Sequence, residues 1–220
     1  MRALTLAALS LAAAFAAAAP AAGQAHNAAA GYGAGFIQPG ALNPGATGEE
    51  ASFEAGIVGT AFGEAWYVLG GRLGTRLNVA LAKRPLQLGE ATRDISLLAV
   101  DLNVMARPLP PSATGAVVPF LSAGAGVFSY GLGEGGSVTY GELGAVYPGE
   151  GEVRWAVVGG AGVDIAPAGF RLGDARLGIR LEVADHMVLR SPFRGIEEGG
   201  NLGPIHNLRA GISLIGLGWL

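Results

Sequence analysis

"RLEVADHMVL", residues 180–189, alternates for most of its length. Leu181, Val183 and Met187 fall on one side, and Arg180, Glu182, Ala184 and His186 on the other. Read backwards, the register holds: Leu177 and Ile179 join the apolar side, Arg176 the polar one. A period of two is the mark of a β-strand with one apolar and one polar face. In a soluble sandwich the apolar face packs on a core and the polar face meets water. In a membrane-spanning barrel the apolar face meets lipid, and Arg180 and Glu182 point into the lumen. The rest of the chain decides between the two.

The N-terminus reads "MRALTLAALSLAAAFAAAAPAAGQAH". Arg2 supplies a basic start, Ala3 to Ala19 an apolar helix-forming run, and Pro20 a break followed by small residues. This is the layout of a secretory signal peptide, with a cut after Ala22, Gly23 or Ala25. Residues 1–25 are therefore assigned to the signal peptide and residues 26–220 to one domain. The alternative, an uncleaved anchor, has a run only about as long as the shortest spanning helices. The absence of Cys removes both a lipid-modified N-terminus and a disulfide framework.

Mean hydropathy is +0.42, yet no later stretch reaches the roughly 18 uninterrupted apolar residues of a spanning helix. A hydrophobic exported chain cut into short alternating segments suits a barrel with a lipid-facing exterior. A net charge of −3 and a pI near 5.6 argue against a nucleic-acid partner.

Eight strands are predicted. They are 30–38 (weak), 52–61, 67–83, 94–107, 117–130, 153–165, 175–189 and 206–215. Within 67–83, Leu73, Leu77 and Leu81 oppose Arg72, Arg76 and Asn78; within 153–165, Val153, Trp155 and Val157 oppose Arg154 and Asp164. The links alternate in character. Links 39–51, 84–93, 131–152 and 190–205 are long or polar, whereas 62–66, 108–116 and 166–174 are mostly shorter and marked by Pro or Gly. Membrane barrels segregate long outer loops from short periplasmic turns in this way.

With "VPFLSAGAGV" (118–127), "WAVVGGAGVDI" (155–165) and the final "HNLRAGISL" (206–214), residues 30–220 resemble the family of small eight-stranded, OmpA-like outer-membrane barrels. The resemblance implies an all-β, antiparallel up-and-down transmembrane barrel behind a signal peptide. It also implies the outer membrane of a Gram-negative-type bacterium as location, and outer-membrane lipid and the barrel-assembly machinery as partners. Two departures stand out. Aromatic residues make up only 7% of the chain, few for two aromatic girdles. The chain ends on Leu220 after Trp219, where the family commonly ends on an aromatic residue. Strict alternation from Leu208 turns Trp219 inward unless a bulge intervenes near Gly216.

On this reading the polar faces meet in the lumen. Parity collects Glu54, Arg72, Arg76, Asp101, Arg154, Asp164, Arg176, Arg180, Glu182, His186 and Arg209 there as a network of both signs. Gly124, Gly126, Gly160, Gly162, Gly178 and Gly211 share that parity and give the long side chains room. No cofactor and no metal site is expected, because no His/Cys/Asp cluster has ligand spacing. A Ser–His–acid hydrolase can be sketched from Ser191 or Ser213, His186 or His206, and Glu182, similar to outer-membrane lipid A deacylases, but no motif ties these residues together. The outer loops carry Glu49, Glu50, Glu134, Glu142, Glu150, Glu197 and Glu198, and the longest adds Tyr140 and Tyr147. Solvation accounts for the acids; bridging by divalent cations to anionic lipid headgroups or to a surface partner is the alternative. The expected function is structural or surface-interacting rather than enzymatic. A lipid-modifying hydrolase, a narrow passive channel and a binder of small apolar ligands are the alternatives.

Overall fold

The alternation at 180–189 belongs to a strand that runs from Ala175 to Val188. Along it Ile179 is 41% exposed while Arg180 is fully buried. A soluble sandwich would show the reverse. Large apolar side chains such as Leu102, Leu121, Trp155, Ile212 and Leu214 are likewise exposed, and Arg76, Asp101 and Asp164 are buried. The greasy faces point outward and the polar faces inward, as lipid solvation requires.

A computed structural model describes residues 27–39, 51–88, 91–108, 117–132, 138–140, 145–147, 152–167, 169–173, 175–190 and 204–219. Residues 1–25, assigned above to a signal peptide, lie outside these, as do Ser191 and the seven loop glutamates named above. Among the described residues every regular element is a strand. Eight are long: β1 (Asn27–Pro39), β2 (Gly56–Val68), β3 (Leu73–Leu88), β4 (Ala91–Ala106), β5 (Val117–Leu132), β6 (Glu152–Ile165), β7 (Ala175–Val188) and β8 (Ile205–Trp219). Three-residue strands at Ala51–Phe53, Val138–Tyr140 and Ala145–Tyr147, and the pair Arg171–Leu172, ornament the links.

Each long strand pairs antiparallel with the next, and β8 pairs back onto β1 from Asn27↔Trp219 to Pro39↔Asn207. The sheet closes and has no free long edge. Cross-strand partners can be followed around the wall from Ala29 through Glu64, Arg76, Asn103, Gly124, Val158, His186 and Asn207. The path returns to β1 at Pro39, ten residues along the strand from its start. With eight strands that stagger gives a tilt of about 40° and an interior that side chains can fill.

Three details differ from expectation. Residues 62–66 are not a link. Phe62, Glu64 and Trp66 keep the inward parity of β2, and the chain turns at Leu69–Arg72 instead. There Leu69, Gly70 and Gly71 take φ values of 53°, 67° and 80°. Two glycines make that left-handed run affordable for the backbone. Residues 84–93 are not a long loop either, because β3 and β4 stay paired out to Leu88↔Ala91. No bulge occurs at Gly216: β8 keeps register with β1 to its end, and the register shift lies between Trp66 and Val68.

Candidate functional site

The lumen is built in layers. Toward the end that carries the long links, Ile37, Val58, Ile95, Leu97, Phe128, Tyr130, Val188 and Ile205 form an apolar plug. At the opposite, short-turn end Trp66, Met105 and Phe120 make a second apolar cluster. Charged side chains form a belt between and beside them.

Arg180 is the centre of the belt. Its Nε and Nη2 donate to Asp164 Oδ1 and Oδ2 at 2.7 and 2.9 Å. Its Nη1 donates to Glu64 Oε1, and Nη2 to Glu64 Oε2 at 3.1 Å. Its two forks each hold a carboxylate, a geometry the planar guanidinium allows and an ammonium does not. The Phe62 and Phe120 ring centroids lie 4.6 and 4.3 Å from Cζ. Such cation–π contacts favour the cation in a desolvated site. Glycine makes this packing possible: a Cβ at Gly31 would lie 2.6 Å from the Phe62 ring, and one at Gly162 2.5 Å from the Phe120 ring.

Arg76, on β3 across the barrel from β7, repeats part of the arrangement. Nη1 and Nη2 donate to Glu182 Oε2 and Oε1, both at 2.8 Å, and Ser122 Oγ lies 3.4 Å from Nη2. Arg209 Nη2 shares Glu182 Oε1 at 3.4 Å. Arg107 stacks on Trp66, with Cζ 3.6 Å from the ring centroid, and donates to Asp164 at 3.4 Å. Trp66 Nε1 donates to Glu64 Oε2 at 3.1 Å, which ties the short-turn end into the belt. On the plug side, Asp101 accepts from Asn78 at 2.9 Å and from Asn103, and meets His186 Nε2 at 3.1 Å.

Arg76, Arg107, Arg180 and Arg209 thus stand against Glu64, Asp101, Asp164 and Glu182. The belt is close to neutral. Each of these ions would be strongly destabilising if unpaired, and the cross-lumen pairs answer that cost.

Of the residues assigned to the lumen by parity, Arg76, Asp101, Asp164, Arg180, Glu182, His186 and Arg209 meet in this belt. Arg176 is buried near the start of β7. Arg154 lies opposite the buried Phe128 near the long-link end and is half-buried. Glu54 and Arg72 lie elsewhere. Glu54 is exposed between Phe53 and β2, where no barrel strand imposes parity. Arg72 is exposed in the β2–β3 turn and donates to the Pro108 carbonyl at 2.5 Å. Parity does not reach Glu64, because the sequence pattern puts 62–66 in a link whereas the structure keeps it in β2. It also passed over Arg107, although Arg107 shares the parity of Asp101 and Asn103.

The hydrolase sketch is not assembled among the described residues. His186 is held by Asp101, and Glu182 by two arginines. Ser213 lies opposite Arg180, with no hydrogen bond to either histidine. His206 pairs with Asp185 at 2.5 Å on the outward face.

No protein-family model matches the chain, and no curated protein matches it in sequence. Solved structures match it in fold. The outer membrane protein OprG of Pseudomonas aeruginosa is 13% identical over 89% of this chain and 96% of its own, with a TM-score of 0.54. Neisserial surface protein A is 12% identical over 87% and 95%, with a TM-score of 0.45. Ail, the attachment invasion locus protein of Yersinia pestis, is 12% identical over 85% and 97%, with a TM-score of 0.42. The likeness is one of architecture: a closed, antiparallel eight-stranded barrel of the outer-membrane type.

Proposed function

We propose that this barrel is a sealed integral protein of the outer membrane that serves as a scaffold for its outer loops rather than as an enzyme or a pore. Export through a cleaved signal peptide and insertion by the barrel-assembly machinery bring it there. The observation that carries this reading is the filled lumen. A belt of paired arginines and carboxylates crosses it, with an apolar plug at the long-link end. An ion or solute would have to break buried charge pairs and then displace packed side chains. The deep histidine serves the belt through its bond to Asp101. Loops displayed on such a rigid frame are the surface available to a partner.

The reading is tested in planar bilayers. The purified barrel is expected to show no steady conductance at moderate voltage; large, stable single-channel steps would overturn it. The intact mass of the membrane-extracted protein is expected to place the mature N-terminus between about His26 and Ala30, within the looseness of such cut sites. A mass that retains residues 1–25 would remove the export argument.

A further inference from the structure

The outward wall carries an acid where its surroundings are apolar. On β7 the outward residues run Ile179, Leu181, Val183, Asp185 and Met187. Asp185 thus has apolar outward neighbours on both sides along its strand, and across the ladders it faces Leu208 of β8 and Gly159 of β6. Among the described residues no other acid is set in this way. His206, opposite Met187 on β8, reaches diagonally to it, with Nδ1 2.5 Å from Asp185 Oδ2. The two side chains are 59% and 35% exposed, so the protein does not enclose the pair.

The apolar wall continues beyond it toward the long links. Leu189, whose N–H donates to the Trp155 carbonyl at 3.0 Å, is exposed there, as are Trp155 and Val153. From Asp185 to Leu189 the wall rises roughly 10 Å, at about 3.3 Å per residue on strands tilted about 40°. A bilayer whose boundary followed that rim would submerge a carboxylate and an imidazole in hydrocarbon. Ionisable groups at such a depth draw water and headgroups toward themselves by thinning the bilayer locally. The wall leaves room for this. Gly159 has no side chain, and a Cβ there would meet nothing within 4 Å; Ala161 and Ala210 flank Val183 in the next row. We infer that water and lipid headgroups of the long-link leaflet dip to the His206–Asp185 pair, so that the hydrocarbon layer is thinnest on the β6–β8 side of the barrel. The inference rests on the membrane-embedded reading above and adds that the bilayer is uneven around the wall.

The chain has no Cys, so a single one can be introduced for labelling. A polarity-sensitive nitrobenzoxadiazole is attached at Val183→Cys, one outward step below Asp185, or at Leu102→Cys on β4. Both positions are exposed. The row Leu102↔Ala125↔Val157↔Met187 climbs about four residues over its three steps, so Leu102 and Val183 share a height. The barrels are inserted into vesicles of dioleoyl phosphatidylcholine, and heat-modifiable mobility reports folding first. The label at 183 is expected to emit further to the red than that at 102 and to be quenched more by aqueous iodide. With Asp185→Val and His206→Leu added, the 183 label is expected to shift back to the blue and match 102. Asp185→Asn alone, which keeps the size of the side chain, is expected to move it part of the way.

Equal emission and quenching at the two positions in the otherwise wild-type chain would overturn the inference. So would a difference that survives both substitutions. So would a 183 label shielded from iodide until the protein is diluted to a single barrel per vesicle, since a second copy would then cover the pair. Iodide that reaches both labels freely, with no heat-modifiable shift, defeats the membrane reading itself and this inference with it.

Discussion

Toward the long links the lumen is closed by Ile95, Leu97, Phe128, Tyr130 and Val188, packed with no charged side chain among them. Further along the barrel lie Arg180, Glu64, Asp164 and Arg76, as shielded from solvent as the plug, with Glu182 a little less so, and all joined by charge-assisted forks. The two regions solve one problem, filling a narrow cylinder, by different chemistry. In the plug each side chain makes many weak contacts, and any group of about the right shape will serve. In the belt each group has named partners, and the loss of one leaves another exposed to a low-dielectric interior. Equal burial therefore does not mean equal sensitivity to substitution.

The contrast is sharpest at Arg180. Arg180→Leu leaves Glu64 and Asp164 facing each other with one fork lost from each, and is expected to destabilise the barrel by about 3–5 kcal/mol. The check is denaturant unfolding in lipid vesicles. A change below about 1 kcal/mol would mean the belt is no more demanding than the plug. Adding Glu64→Gln to the same chain is expected to restore part of the loss, because one stranded carboxylate goes with its partner while Asp164 keeps Arg107 and Arg76 keeps Glu182.

Next in size is the neighbour of Arg180 on the opposite face. Ile179→Arg is expected to cost about 2–4 kcal/mol near mid-depth of the bilayer, from placing a charge in hydrocarbon. Ile179→Leu is expected to be nearly silent, since lipid makes no demand on side-chain shape. Cysteine labelling with a lipid-phase probe should modify position 179 and spare 180; the reverse pattern would turn the barrel inside out.

The smallest effect is expected in the plug. Ile95→Val removes one methylene from a side chain that is 1% exposed, and about 0.5–1.5 kcal/mol is the usual cost. A loss as large as that of Arg180→Leu, in the same unfolding assay, would erase the distinction between the two regions.

How far the sequence foretold these regions follows from their patterning. Along β7 and β8 apolar and polar residues alternate, so Arg180, Glu182, His186 and Arg209 could be assigned to one face by counting in twos. The plug was not legible. Around Ile95, Leu97 and Ala99 the outward neighbours, Leu98 and Val100, are also apolar, and period two vanishes when both faces are greasy. Glu64 was hidden differently. In "AFGEAWYVLGGRLG" two Gly-containing stretches compete for the turn, and the one that bends is the later pair, Gly70–Gly71, with positive φ at both. Glu54 and Arg72 were misplaced because parity carries no information once the chain leaves the ladder.

The partners in the belt are far apart along the chain. Glu64 and Arg180 are separated by 116 residues, and Arg76 and Glu182 by 106. Bringing such remote segments together is entropically slow, so these pairs form late in folding. Until β2 and β3 face β7, their ions have no counter-ions across the cylinder. A partly assembled sheet entering hydrocarbon would carry several naked charges, each opposing insertion. Wall closure and charge neutralisation therefore coincide. The belt ties the loss of those naked charges to the meeting of β2 and β3 with β7.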